Sequence, residues 1–263
     1  MSNEVMSDGI VRDGMKAGDV VVVTGGGGGF GRAFALRLAA MGGRIAIWEK
    51  DAESGAQTAA LVKASGGEAL FIEVDLADRN DIHRAGAATL AAYGTPYCII
   101  NNASIFPRYS ILDMDEDVFE TTMKVNITAP FSIVKFFGPR MIEARRGVIL
   151  NIASGRAIGG APKGIGYASS KGAMLTFTKT VALEWARHNI RCNTIIPGVS
   201  FTAQPLADTS EEELVERGRK TIPLGRIGYP EDMAGLAAFL VSADASYMTG
   251  QAVAMNGGRI LVP

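Results

Sequence analysis

The sequence predicts an α/β domain built as a doubly wound parallel sheet of about seven strands. Three observations carry that expectation. From Asp19 onward, short β-branched runs alternate with longer amphipathic stretches; the runs are apolar at nearly every position; and a glycine run separates the first of them from the first amphipathic stretch. A strand covered on both faces reads as continuous hydrophobicity, whereas one solvated face would give alternation. In chain order, VVVV closing at Thr24 is the first strand and residues 31–41 the first helix. RIAIW and a helix through residue 61 follow, then ALFIEV with a helix over 82–93, and YCII with a long helix over 115–144. GVILNI, a helix after Tyr167 and IRCNTII continue the rhythm, and a helix starting near Pro230, where proline suits the first turn, precedes a final strand AVAM.

The bulk properties narrow the function classes. The chain has 263 residues, 48% hydrophobic and 20% charged, with a net charge of −1 from interspersed acids and bases. Such a balance gives no electrostatic footprint for nucleic acid or an anionic membrane. No apolar run reaches the length of about 20 residues that a membrane span needs. The first 18 residues lack a basic end followed by an apolar stretch, so they read as a flexible arm rather than a secretory signal, and a cytoplasmic protein is expected. Residues 19–263 then form a single domain, with a lid near 200–228 where the strand-helix rhythm breaks and Ser210 caps the charged helix EEELVERGRK. Cys98 and Cys192 each fall inside an apolar run and read as core thiols. Neither a disulfide nor a metal site is expected of them.

The residues that carry chemistry lie at strand ends. In TGGGGGFG, Thr24 closes the first strand, and Gly25, Gly29 and Gly31 have a T-G-x-x-x-G-x-G spacing that opens a helix. Glycines there let a pyrophosphate approach the N–H groups of a helix start, which is the Rossmann-like way of holding a dinucleotide, although five glycines could also be a flexible turn. Glu49 ends the second strand about twenty residues on, where a carboxylate can accept from the adenosine ribose hydroxyls. Asp75 and Leu76, after the third strand, can hold the adenine edge, or Asp75 can be a turn or capping residue. Tyr167 and Lys171 are four apart and share a helix face. An ammonium beside a phenol favours phenolate, and bringing a phenol from its reference pKa of about 10 towards neutrality takes about 4 kcal/mol of preferential stabilisation.

These motifs in this order resemble the short-chain dehydrogenase/reductase family, over nearly the whole chain from Asp19 to Gly258. The match comprises the glycines at 25–31, Asn101-Asn102-Ala103, Asn126 in a long helix, Ser154, Tyr167-x-x-x-Lys171, Pro197-Gly198, Thr202, and the ending from Gly250-Gln251 to Gly257-Gly258. The resemblance implies that Ser154 holds the substrate oxygen, Tyr167 is the acid/base, Lys171 lowers the tyrosine pKa and binds the nicotinamide ribose, and Asn126 anchors a proton-relaying water. It implies that Thr24, Gly25, Gly29, Phe30, Gly31, Glu49, Asp75, Leu76, Asn102, Ala103, Tyr167, Lys171, Pro197, Gly198 and Thr202 bind the dinucleotide, which Glu49 makes NAD. Ser104 and Asn256 depart from the family's usual glycine and aspartate, which leaves loop geometry open there.

The reaction so implied is hydride transfer between NAD(H) and a small secondary alcohol or ketone, aryl or cyclic, in a homotetramer. A 3-oxoacyl-thioester reductase and a non-catalytic dinucleotide-binding sensor are the alternatives. Ile105, Phe106, Ser154, Arg156, Val199 and Phe201, with Leu206 on the lid, are the expected substrate contacts. Arg108 and Arg156 follow the same strand ends as Phe106, so a ring-bearing substrate with an acidic substituent is conceivable, the plain alternative being two solvated arginines. His83 and His188 belong to helix surfaces.

Overall fold

The computed structural model describes residues 13–202 and 209–260. Seven parallel strands form one sheet: β1 (Val20–Thr24), β2 (Arg44–Glu49), β3 (Glu68–Glu73), β4 (Pro96–Asn101), β5 (Gly147–Ile152), β6 (Ile190–Pro197) and β7 (Ala252–Met255). They are ordered β3-β2-β1-β4-β5-β6-β7, so the winding reverses between β1 and β4. The expected strand count and direction are borne out.

Side-chain alternation divides the inner strands between two cores. From β1 and β2, Val21, Val23, Ile45 and Ile47 enter one core with Phe34 and Leu38 of α1 (Gly29–Ala39) and Val62 of α2 (Ala52–Ala64). Val22, Ala46 and Trp48 point the other way, into a core with Ile82 of α3 (Arg79–Tyr93) and Phe137 of α5 (Ala129–Ala144). β1, β4 and β5 are buried at every position, because both of their faces are covered, whereas β3 and β7 at the sheet edges are partly exposed. Polar side chains are admitted where they are paired: the Trp48 indole donates to Thr89 Oγ1 at 3.0 Å. Helix starts use short acceptors, with Asp51 accepting from Ser54 N and Asp78 from Asn80 N, both at 2.8 Å.

Two places differ from the sequence expectation. The long helix over 115–144 divides into α4 (Glu116–Met123), a π-helical stretch (Lys124–Thr128) and α5. The arm expected over 1–18 is not loose over 13–18: Met15 N donates to Val241 O at 2.9 Å and Asp13 is buried. Arg146 explains this, since its guanidinium reaches Asp13 at 3.2 Å and Asp19 at 2.7 Å and lies 4.3 Å from the Tyr97 ring centre. Residues 1–12 of that arm, with 203–208 and 261–263, lie outside the described residues. Cys98 and Cys192, expected as core thiols, are free and buried, and burial pushes the Cys192 thiol up to about 12.

Removing Arg146 leaves two partly buried carboxylates without their cation. Arg146→Ala is expected to cost about 2 kcal/mol, below the 3–5 typical of a fully buried pair, because water reaches part of the site. Hydrogen exchange at Met15 should speed up in the same variant; an unchanged urea midpoint and an unchanged Met15 amide would show that this clamp holds nothing.

Candidate active site

The crevice at the carboxyl ends of β1 and β4 is where a doubly wound sheet accepts ligands, because the two following segments leave towards opposite faces. Thr24 and Asn102 keep the crevice at one width. Asn102 N and Ala103 N donate to Thr24 Oγ1 at 3.0 and 3.1 Å, and Asn102 Nδ2 donates to Thr24 O at 2.9 Å and Gly25 O at 3.1 Å.

On this frame the glycine turn is built by conformation and by contact. Gly25 and Gly29 have φ of 62° and 48°, the left-handed region that disfavours side chains. A Cβ on Gly31 would stand 2.0 Å from Gly25 O. Helix α1 begins after Gly28 with no side-chain cap, which leaves its first N–H groups facing the crevice. A backbone cradle with its helix start uncapped fits the pyrophosphate of a dinucleotide.

Two carboxylates border the cradle. Glu49 accepts from Gly27 N at 3.0 Å and from Lys50 N at 2.8 Å, so the acid braces the turn it flanks. Asp75 pairs with Lys50 Nζ at 2.7 Å and accepts from Ala77 N at 2.9 Å. The Lys50 bond first, and the Ala77 N–H next, hold the Asp75 carboxyl below the usual carboxylate range. Asp75 is thus a turn residue, and the cap of α3 is Asp78.

The remaining groups come from β5 and from α7 (Ile165–Trp185). Ser154 follows β5, and Arg156 N donates to its Oγ at 3.2 Å. Tyr167 is buried with its ring stacked on Phe106, centroids 4.4 Å apart. Lys171 is 1% exposed, donates to Ile152 O at 2.7 Å and lies 5.6 Å from the Tyr167 ring centre. Burial pulls its amine down to about 7. The ammonium expected beside the phenol is accordingly divided between its two protonation states near neutrality, because one carbonyl does not replace its water.

A cleft of 520 Å³ gathers Gly25, Gly29, Phe30, Glu49, Asp75 and Leu76 on one side. Asn102, Ala103, Ile105, Ser154, Tyr167, Lys171, Pro197, Gly198 and Thr202 also line it. Thr24, Gly31 and Asn126 stand behind the wall instead. Asn126 lies in the π-helical stretch, exchanging hydrogen bonds with Ile105 N and O at 2.9 and 3.0 Å and donating to Ser170 Oγ at 3.0 Å. Its side chain is committed to bracing a loop against α7.

A second cavity of 370 Å³ shares Ser154, Tyr167, Pro197 and Gly198 with the cleft and adds Phe106, Arg156 and Val199. Phe201, expected at the substrate, lines neither of these two cavities: its ring stacks on Tyr229 at 5.2 Å, and it packs against the small core of Leu214, Ile222 and Ile227. Leu206 lies outside the described residues. Among the cavity residues that escaped the sequence reading are two cations, Arg217 on α8 (Glu211–Thr221) and Arg259 beyond β7. Neither belongs to a spacing pattern. The departures are harmless: Ser104 does not adopt a positive φ, and Asn256 uses both ends of its amide, donating to Ile260 O at 2.8 Å and accepting from Gly258 N at 3.0 Å.

A parallel sheet with a glycine cradle at its reversal point, facing a serine, a tyrosine and a lysine across one cleft, defines a dinucleotide-binding α/β oxidoreductase. The chain belongs to the short-chain dehydrogenase/reductase family: the family model described as enoyl-(acyl carrier protein) reductase matches residues 26–259. An L-rhamnose 1-dehydrogenase (NAD(P)(+)) of Azotobacter vinelandii is 33% identical, covering 90% of this chain and 95% of its own. A 3-oxoacyl-acyl-carrier-protein reductase of Chlamydia trachomatis is 32% identical over 93% of this chain and 98% of its own. A solved structure from Beutenbergia cavernae, a candidate NAD(P)-dependent gluconate 5-dehydrogenase with NADP at low occupancy, superposes with a TM-score of 0.87 at 32% identity over 92% of this chain and 97% of that one.

The lowered Lys171 pKa has a stability consequence. Between about 7 and the ordinary lysine value the unfolded chain holds the proton that the folded chain has released, so the penalty for burying Lys171 grows as pH falls through that window. Lys171→Met is expected to raise the melting temperature of the cofactor-free protein at about pH 6.5, with a smaller gain at about pH 9.5. A gain of equal size at both values would contradict the burial argument.

Proposed function

We propose that this protein moves a hydride between NAD(H) and a small secondary alcohol or ketone, with Tyr167 as general acid/base. The observation that carries the reading is that one cleft is walled both by the glycine cradle and by Ser154, Tyr167 and Lys171. The nicotinamide, when bound, supplies the hydride acceptor or donor. Ser154 donates its hydroxyl hydrogen to the substrate oxygen and fixes the reacting carbon. Tyr167 Oη takes the alcohol proton during oxidation and returns it during reduction. Lys171, in its protonated form, stabilises the phenolate, and it would bind the nicotinamide ribose. Pro197, Gly198 and Thr202 hold the carboxamide end from the opposite wall. The proton relay through Asn126 would fall to its main-chain carbonyl, given the bonds its side chain makes.

Assembly as a homotetramer through α5 and α7 has support in the exposed Phe131 and Leu183 that these helices carry.

Tyr167→Phe removes one oxygen from a ring otherwise held by Phe106. It is expected to leave dinucleotide binding nearly intact while kcat falls by about 10² to 10⁴, the range of a lost general acid/base. Turnover close to wild type would exclude Tyr167 from the proton step. The same assay with an acetoacetyl thioester separates the thioester-reductase alternative, and the absence of turnover on every alcohol and ketone tried would favour a sensor.

For the cofactor, we infer NAD over NADP. A 2′-phosphate beside the adenosine ribose would meet the carboxylates of Glu49 and Asp75, and the neighbouring cation, Lys50, is engaged by Asp75. The relatives' names include NADP, so the preference rests on these acids. NAD is expected to exceed NADP at least about tenfold in kcat/KM, a difference of about 1.4 kcal/mol. A Cβ at Gly28 meets open space, so Gly28→Arg can be combined with Glu49→Ser without a clash at that carbon, and the pair should shift preference towards NADP. Equal efficiencies in the unaltered enzyme would show that Glu49 does not read the ribose.

A further inference from the structure

We propose that the cavity beside Ser154 and Tyr167 binds an oxyanion carried by the substrate, so that the alcohol or ketone taken here bears a carboxylate or phosphate group. The inference rests on the hydride-transfer reading and narrows its substrate class.

Arg108 and three further arginines from separate parts of the chain border this 370 Å³ cavity, the three being Arg156 at the start of α6 (Arg156–Gly159), Arg217 on α8, and Arg259 after β7. No described residue of the wall is acidic. None of the three forms an ion pair with an acid among the described residues. Gathering like charges around a recess raises the energy of the empty site, and an anion that enters removes that repulsion and gains planar, two-pronged hydrogen bonds. The same crowding is felt by Arg156, whose guanidinium is held below its ordinary value by burial first and then by Arg108, Arg259 and Arg217.

Position relative to the reacting groups makes the anion part of a substrate. Arg156 N donates to Ser154 Oγ, so the cation and the hydroxyl that would hold the reacting oxygen are two residues apart on one turn. The Arg156 guanidinium lies 5.0 Å from the centre of Phe106, and that ring stacks on Tyr167. Arg156 and the acid/base thus both lie against one apolar ring. This arrangement suits a molecule whose anionic group is a few bonds from its carbinol carbon, with a short carbon skeleton or ring against Phe106. The volume is within the range of about 300 to 1,000 Å³ that holds small molecules.

The test reads binding without turnover. Benzoate, phenyl phosphate and benzamide share a ring and differ in charge, and their affinities for the Tyr167→Phe protein can be measured by ligand-observed NMR. Saturation with NADH, or NADPH if it binds tighter, fills the phosphate cradle, so that anions do not report on it. Benzoate or phenyl phosphate is expected to bind at least tenfold tighter than benzamide, and the better of the two identifies the source of the oxyanion. Arg156→Gln, and Arg217→Gln with Arg259→Gln, should each bring the anion-to-amide ratio down severalfold. Because Arg217 is exposed on a surface helix, Arg217→Glu offers a variant with little risk to folding, and it should lower the ratio further.

Equal binding of the three probes, or a ratio that survives all of these substitutions, would overturn the proposal and leave the arginines as solvated surface. Failure of the hydride-transfer reading has a different sign: the anion preference would persist while no alcohol or ketone is turned over.

Discussion

The hydroxyl of Thr24 joins the two strands on which the site is built. β1 and β4 are neighbours whose ladder pairs Val23 with Ile100 and stops one residue short of both carboxyl ends, where the following segments leave in opposite directions. The hydroxyl donates to Ile100 O at 3.3 Å and accepts from Asn102 N and Ala103 N, which uses all of its hydrogen-bonding capacity. The Asn102 amide returns two bonds to Thr24 O and Gly25 O. The glycine cradle and the loop after β4 consequently behave as one piece, and a Cβ on Gly25 would strike Ala103 Cα at 2.9 Å. Positions that resemblance assigns to the cofactor are here partly structural: Thr24 shapes the cleft without facing it.

A second brace ties that piece to the helix bearing Tyr167 and Lys171. Asn126 fastens both backbone groups of Ile105 and donates to Ser170 Oγ, while Ser170 donates to Tyr167 O at 2.8 Å. The π-helical stretch around Asn126 supplies the extra backbone that aims this side chain between two elements. The loop from 102 to 106 is therefore held at one end by β1 and at the other by α7. Distances between cradle, serine and tyrosine then follow from the sheet, with little left to loop flexibility.

Legibility in the sequence followed the range of the interactions. Strands such as GVILNI were readable because burial on both faces leaves a continuous apolar signature, and the partly exposed AVAM also has the same bounds in the structure. Helix ends moved by a few residues where caps such as Asp78 lie upstream of the apolar period. Motif residues were legible because their spacing is fixed by a turn or by helix geometry. Contacts made by long side chains across the fold were not: Arg146 clamps 13–19, and Phe201 turns to Tyr229, through partners that no local pattern announces. The lowered pKa of Lys171 likewise depends on burial beneath the cleft floor, which a four-residue spacing does not encode.

Charge distribution shows the same limit from another direction. A net charge of −1 spread evenly along the chain suggests no strong local field, and the Glu211–Glu213 run suggests an acidic lid. Folding separates what the sequence mixes. The three glutamates occupy the first turn of α8, where Ser210 and Glu213 form a reciprocal capping box and the helix dipole favours negative charge. Arg217, further along the same helix, reaches the cavity that Arg156 and Arg259 also border. Asn256, at the rim of that cavity, spends its amide on the backbone of the final turn and adds no charge. Acids are thus drawn to a helix start by capping while bases collect at the reacting groups. The field a substrate meets is set by which turn of each element faces inward, a property of the fold rather than of the composition.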